Sequence, residues 1–305
     1  MTNANHRQYQ QRPGLGRAYL RALLLPRKGR KAGGQMPPLT AAWQGARLDP
    51  ANLADYKAVC ELVDPDPVPP LYPHVLVSPL HLNMLTHKAF PLRLIGSVHL
   101  RNQLIRHRPL VPEGIHDLTC RLSGARVTEK GIEVDLYTEM HHNGVLVWEE
   151  LSTFFVRGRF GRPDPPAPFT MPEVEQTNPI ASWHLAADKG KRYARVSGDY
   201  NPIHVSRPMA RMFGFERDLI HGFSIFATAL DRLDQELGHK PDPDQPLGLD
   251  VAFKGPVYLD RRVVVKHRAV DAGHRLQLFC GDNPRPCIEI YRHHPVVGSS
   301  LQPEG

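Results

Sequence analysis

On either side of a proline-rich stretch the chain runs through the same order of elements twice, and that repetition limits its folds more than any other feature. The stretch is RPDPPAPFTMPEVEQTN (162–178), with five prolines and no apolar period, so it reads as an extended linker. Before it, HVLVSPLHLNMLTHKAF (74–90) is apolar on most sides and predicts a buried helix. Strand-like segments follow: GSVHLRNQLIRHRPL, then HDLTCRLSGARVT, GIEVDLYTEM and VLVWEELSTFFVRG, with an Asn143-Gly144 turn between the last two. After the linker, HGFSIFATALDRLDQEL (221–237) is the helix, and LGLDVAFKGPVYL, RRVVVKHRAV, HRLQLFC and RPCIEIYRHH are the strands. Pro73-His74-Val75 at one helix entrance echoes Ile220-His221-Gly222 at the other. The pattern predicts an internal duplication of a unit of about 130 residues, a normal domain size. The expected division is a basic N-terminal tail (1–48), a first unit (49–161), the linker (162–178) and a second unit (179–305). Asp49 and Pro50 are placed to cap and begin a further helix at the start of the first unit.

Charge then narrows the partners. The net charge of +7 suggests nucleic acid, but nine of the 38 Lys and Arg precede residue 49, where there is no acid. The rest of the chain is close to neutral, so no nucleic-acid partner is expected. The basic stretch reads as a solvated tail, with contact to an acidic partner as the sharper alternative. Ala22 to Pro26 is too short for a signal-peptide core and no apolar run reaches the length of a membrane span, which gives a cytoplasmic expectation without a membrane span. Cys60, Cys120, Cys280 and Cys287 are widely spaced and predict reduced, buried thiols rather than a disulfide framework or a zinc site.

Common signatures are missing or incomplete. Gly14-Leu15-Gly16 lacks the preceding strand and the third glycine of a dinucleotide fingerprint, and there is no P-loop, H-E-x-x-H or G-x-S-x-G. His141-His142 and His293-His294 are adjacent in strands, where neighbours point to opposite faces, so neither pair is a metal clamp.

One segment asks for chemistry. YARVSGDYNPIH (193–204) sets Asp199, Asn201 and His204 around Pro202, which fixes the backbone and removes a donor. Its turn formers explain a loop capping the helix SRPMARMFGF (206–215), but a loop leaves His204 and the later His221-Gly222 unexplained. Tyr193, Ser197, Gly198, Asp199, Asn201, Pro202, His204, Gly214, Phe215, His221 and Gly222 together resemble the hydratase motif of the MaoC-like, or R-specific enoyl thioester hydratase, family. The likeness extends to LDVAFKGPVYL, and the first unit resembles the degenerate half of the family's two-domain members.

The resemblance implies an α+β double hot-dog fold: two fused antiparallel sheets, each wrapped around a central helix. It implies reversible hydration of trans-2-enoyl thioesters of coenzyme A or acyl carrier protein to (R)-3-hydroxyacyl thioesters, without a metal or other cofactor. In that reading Asp199 is the base toward water, His204 helps deliver the α-proton, and the Gly222 N–H, unpaired at a helix start, receives the developing oxyanion. Asn201, Ser197, Tyr193, His221 and Phe223 are the expected substrate-binding residues. Phe223 stands where the family commonly has Met, a change that bears on the acyl tunnel rather than on the dyad. The first unit has Val75 in place of Gly222 and no dyad, so one active site per chain is expected. The rival readings are a non-catalytic acyl-binding or partner subunit and a hot-dog thioesterase. Because a fused double unit imitates a hot-dog dimer, both a monomer and a homodimer stay open.

Overall fold

The computed structural model describes residues 5–24, 36–63, 65–93, 96–296 and 298–302. The first part of the chain forms β1 (His6–Tyr9), α1 (Gly16–Leu24), β2 (Thr40–Ala46), α2 (Pro50–Val59), α3 (Pro73–Leu85), β3 (Ser97–Arg106), β4 (His116–Thr128), β5 (Gly131–His142) and β6 (Val145–Arg157). The second forms β7 (Asn178–His184), α4 (Lys189–Ser197), α5 (Pro202–Val205), α6 (Arg207–Met212), α7 (Gly222–Leu237), β8 (Leu247–Phe253), β9 (Arg262–Val270), β10 (Gly273–Cys280) and β11 (Ile288–His293).

The eleven strands make one sheet in the order β1-β2-β4-β5-β6-β3-β8-β11-β10-β9-β7. Reading outward from the β3–β8 seam, β6, β5, β4 and β2 on one side match β11, β10, β9 and β7 on the other. The seam itself is antiparallel, with Arg101 opposite Ala252 and Arg106 opposite Leu247. The fold is therefore a double hot dog, two units joined edge to edge within one chain, and the helix-then-meander order seen in the sequence is the order of each half.

Local chemistry accounts for the elements. Asp49 caps α2 by accepting the Ala51 N–H at 2.9 Å. Asn143 and Gly144 both take positive φ, 50° and 76°, the two-residue turn whose twist suits a hairpin. Strands β9 and β11 point Val263, Val265, Ile288 and Ile290 into the core at every second position. Helix α3 is buried on nearly every side, and α7 buries Phe223, Ile225, Phe226, Ala229, Leu230 and Leu233. The four cysteines are free and buried, and burial pushes the Cys60 and Cys120 thiols up to about 12.

Two expectations about boundaries are corrected. The described part of the basic N-terminal stretch is not a tail: β2 pairs with β4, Thr40 opposite Arg121, and β1 adds to β2 in parallel. The physical reason is the short apolar run Leu39, Ala41, Trp43 and Ala46, all buried, which extends the first sheet. Arg27, Lys28, Arg30 and Lys31 lie outside the described residues, as does part of the Ala22–Pro26 segment. The second correction is at the linker, whose last residue, Asn178, already pairs with His267 as the start of β7. Among the described residues no helix is long and apolar enough to cross a membrane.

Candidate active site

The segment that carries the motif is built by three short helices in succession. Helix α4 stops at Gly198, which takes the left-handed φ of 78° and returns its N–H to the Ala194 carbonyl. Asp199 follows in the open turn, its carboxylate Oδ1 accepting the Asn201 N–H at 3.0 Å. Asn201 then caps α5, with Pro202 as its first residue, and α5 carries His204. Ser206 caps α6 in the same way. Asp and Asn at the turn thus serve the backbone as the sequence suggested, and still leave the second carboxylate oxygen of Asp199 and one nitrogen of His204 free to face each other.

Those two atoms, Asp199 Oδ2 and His204 Nε2, lie 4.0 Å apart. The Nδ1 of His204 is 3.1 Å from the Leu219 carbonyl. A carbonyl only accepts, so Nδ1 carries the hydrogen and the neutral ring presents its Nε2 lone pair toward Asp199. Burial holds the His204 pKa below the ordinary histidine value, although the Asp199 charge acts against it. Burial also pushes Asp199 upward, but His221, His204, the Asn201 N–H and the Tyr19 hydroxyl outweigh it and lower its pKa. An ionised carboxylate and a neutral imidazole is the resulting state near neutral pH. The Asp199 side chain keeps 43 % of its surface accessible while His204 keeps 13 %, so small molecules reach the pair from the carboxylate side.

His221 is the piece beneath. It precedes α7, its Nε2–H donates to the Asp199 carbonyl at 2.8 Å, and its ring stacks on that of His204 with centroids 3.9 Å apart. Burial, then the neighbouring His204, drops its pKa to about 3, which keeps it neutral. Asp199, His204 and His221 offer atoms within 4.8 Å of one another, the spacing of a metal cluster. His221 Nε2 is committed as an N–H donor to the Asp199 carbonyl, so that nitrogen has no lone pair for a metal.

The other expected residues divide. Gly222 opens α7 beside His221, as the motif requires. The reason for glycine there is packing as well as access: a Cβ would stand 2.5 Å from the Phe253 ring. Gly222→Ala is therefore expected to cost about 1–3 kcal/mol through overpacking, read as a lower midpoint in urea unfolding with an unchanged slope. An unchanged midpoint would show that the contact yields freely.

Ser197 and Tyr193, expected to meet substrate, are turned inward. The Ser197 hydroxyl donates to the Tyr193 carbonyl at 2.9 Å and accepts the Asp199 N–H at 3.2 Å, which fixes the turn. Tyr193 is buried, its ring 4.9 Å from that of His221. Phe223 is buried too, and the His74 ring of α3 lies flat against it at 3.5 Å. His74 is the first-half counterpart of His221, and its surroundings are closed. Its Nδ1 bonds the fully buried Glu150, 2.9 Å from Oε2, and Asn102 donates to the same oxygen at 2.9 Å. His81 sits 3.6 Å from Oε1. No motif marks this cluster, since Asn102 and Glu150 stand far along the chain from His74 and His81 of α3.

The sequence also missed Tyr19, whose hydroxyl approaches Asp199 Oδ1 at 3.4 Å. A cleft of about 620 Å³, open solvent included, lies farther along α7 between Pro65, Pro70, Leu230, Asp231 and Arg292, and holds none of the motif residues.

Fold and site together define a class: a two-unit hot-dog protein with a solvent-accessible carboxylate–imidazole pair set beside the start of the second central helix. Comparison with known proteins agrees. Residues 168–281 match the model of the MaoC like domain. The chain is 30% identical over 225 residues to 3-hydroxyacyl-thioester dehydratase X of Mycobacterium tuberculosis, covering 74% of this chain and 78% of that protein. It is 25% identical over 250 residues to the enoyl-CoA hydratase ChsH3 of the same organism, across 74% of this chain and 83% of the relative. Among solved structures, HtdX of Mycobacterium tuberculosis superposes with a TM-score of 0.71 at 26% identity, over 84% of this chain and all of that one. The chain belongs to the MaoC-like dehydratase family.

Proposed function

We propose that the chain adds water reversibly across the double bond of trans-2-enoyl thioesters, giving (R)-3-hydroxyacyl thioesters, with the acyl group carried on coenzyme A or acyl carrier protein. The observation that carries this reading is the 4.0 Å gap between Asp199 Oδ2 and His204 Nε2, with the imidazole tautomer set by Leu219. A water bridging that gap meets two acceptors, so both of its hydrogens are drawn toward the protein and its oxygen lone pairs turn to the substrate. As its oxygen bonds C3, the proton that Asp199 draws from it passes to Nε2 of His204 and is delivered to C2. One O–H bond and the C2=C3 π bond break, one C–O and one C–H bond form, and both side chains return to their starting states.

The charge that moves onto the thioester oxygen needs a donor at the other end of the conjugated system. The Gly222 N–H, first in α7 and at its positive end, supplies that donor in this reading. His221 holds the Asp199 backbone, and Ser197 and Asn201 hold the turn, so they act on the dyad rather than on the acyl group. The family relatives named as a hydratase and a dehydratase support the same chemistry in both directions.

The test is the rate at which the purified protein bleaches the ultraviolet absorbance of crotonyl-CoA and of a longer enoyl-CoA. Bleaching of either is the expected result. Folded protein that is silent on both, and on the carrier-protein enoyl thioester as well, would overturn the reading.

A further inference from the structure

The N-terminal segment does more than extend the sheet: between β1 and α1 it crosses to the second half and lies on the turn that holds Asp199. Arg12 Nη2 reaches the Ser197 carbonyl at 3.5 Å. Leu15 covers Gly198 so closely that a Cβ at that glycine would fall 2.3 Å from its Cδ1. Tyr19, on α1, makes the most contacts. Its hydroxyl accepts the Tyr200 N–H at 2.7 Å, and it faces the Gly198 carbonyl at 3.1 Å and Asp199 Oδ1 at 3.4 Å. The segment is itself fastened to the first half, where Arg21 donates to Asn83 Oδ1 of α3 at 2.8 Å and Asn83 Nδ2 donates to the Gly14 carbonyl at 3.2 Å. Ala18 between these contacts is fully buried.

We infer that Tyr19 is a positioning residue for the Asp199 carboxylate, so that the active site is completed by the N-terminal segment and tied through it to the central helix of the non-catalytic half. The inference rests on the role given to Asp199 above. The geometry supports it in two ways. The Tyr19 oxygen, as acceptor of the Tyr200 N–H, fixes the residue that follows Asp199. Its single proton is then available to the Gly198 carbonyl and the Asp199 carboxylate, the two oxygens on the donor side of the ring.

The groups that face Asp199 are His204 on α5, His221 before α7, Tyr19 on α1, and Tyr193 on α4, with Arg12 on the adjoining Ser197 carbonyl. Of these, Tyr19 is the one hydroxyl hydrogen bond that lowers the Asp199 pKa. Its removal raises the carboxylate's affinity for a proton.

Tyr19→Phe keeps the ring and its packing and removes only the hydroxyl. In the enoyl-CoA assay kcat is expected to fall about tenfold while KM changes less than about twofold, as misplacement of a reacting group does. The acid limb of kcat/KM is expected to move to higher pH. Unchanged kcat and an unchanged limb would overturn the inference. A second measurement does not depend on turnover: titration of the Asp199 carboxyl carbon by NMR, in wild type and in Tyr19→Phe, assigned with Asp199→Asn. A higher midpoint in the variant supports the inference and an equal one overturns it. If neither protein hydrates any enoyl thioester, the proposed function fails while the titration still decides the Tyr19 contact. If the variant does not fold, the wild-type Tyr200 amide decides: slow exchange supports its bond to Tyr19, and exchange at the rate of a free amide overturns it.

Discussion

Asp199→Asn is expected to lower kcat for enoyl-CoA hydration by roughly 10²–10⁴-fold, the contribution of one well-placed proton-transfer group. The amide is nearly isosteric, so the turn that accepts the Asn201 N–H can persist, and the loss is then chemical rather than structural. His204→Ala is expected to lose a similar factor, because the nitrogen that faces Asp199 and the hydrogen bond to Leu219 disappear together. Residues that handle one proton act as a unit, so the double variant should be little worse than either single one. Losses that multiplied instead would place the two groups in separate steps. The measurement is steady-state kinetics on all three variants, with melting curves to show that each is folded.

The second large effect is on stability in acid. Three histidines are held neutral: desolvation, as the first cause in each, lowers His81 to about 4 and His99 and His221 to about 3, from the ordinary 6.5. Their unfolded forms take up protons as pH falls through 6.5 while the folded forms refuse them, so stability drops with falling pH until the folded values are reached. Glu150 adds to the trend at lower pH. Its burial raises the pKa, but the His74 charge and hydrogen bond, His81 and Asn102 outweigh that and bring it from 4.5 to about 2. That contribution is present above 4.5 and is lost as pH falls toward 2. Each unit of difference is worth about 1.36 kcal/mol per group, so together they take several kcal/mol from a total of roughly 5–15 kcal/mol. The melting temperature should therefore be level above about pH 7 and fall steeply from 6 to 4. His81→Gln, which removes one of these protonations, should flatten the fall. A melting temperature that stays level down to pH 4.5 would refute the assignment of neutral histidines.

The closed cluster around Glu150 gives the two halves different chemistry on one scaffold. In the second half the carboxylate is in the turn, half-exposed, and 4.0 Å from its imidazole. In the first half it is on β6, fully buried, and hydrogen-bonded to His74 and Asn102. A carboxylate whose oxygens are already satisfied inside the core has neither access to water nor a lone pair directed at a substrate. This agrees with the absence of Asp-x-Asn-Pro-x-His from the first half.

What the sequence determined by itself was whatever is written in local patterns. Helices α3 and α7 appear because an apolar stretch must be buried, and the meanders because alternation and an Asn-Gly turn leave few other solutions. The hydratase motif was legible because its turn, its caps and its proline sit within a dozen residues. Tertiary structure decided the rest. It made β2 a strand of the first sheet, brought Tyr19 to Asp199 across 180 positions, laid His74 on Phe223, and gave His204 its tautomer through the Leu219 carbonyl. These contacts join residues far apart in the chain, several of them through backbone carbonyls that every residue possesses. No composition or period marks such a partner, because what selects it is the position of the whole sheet and its helices in space.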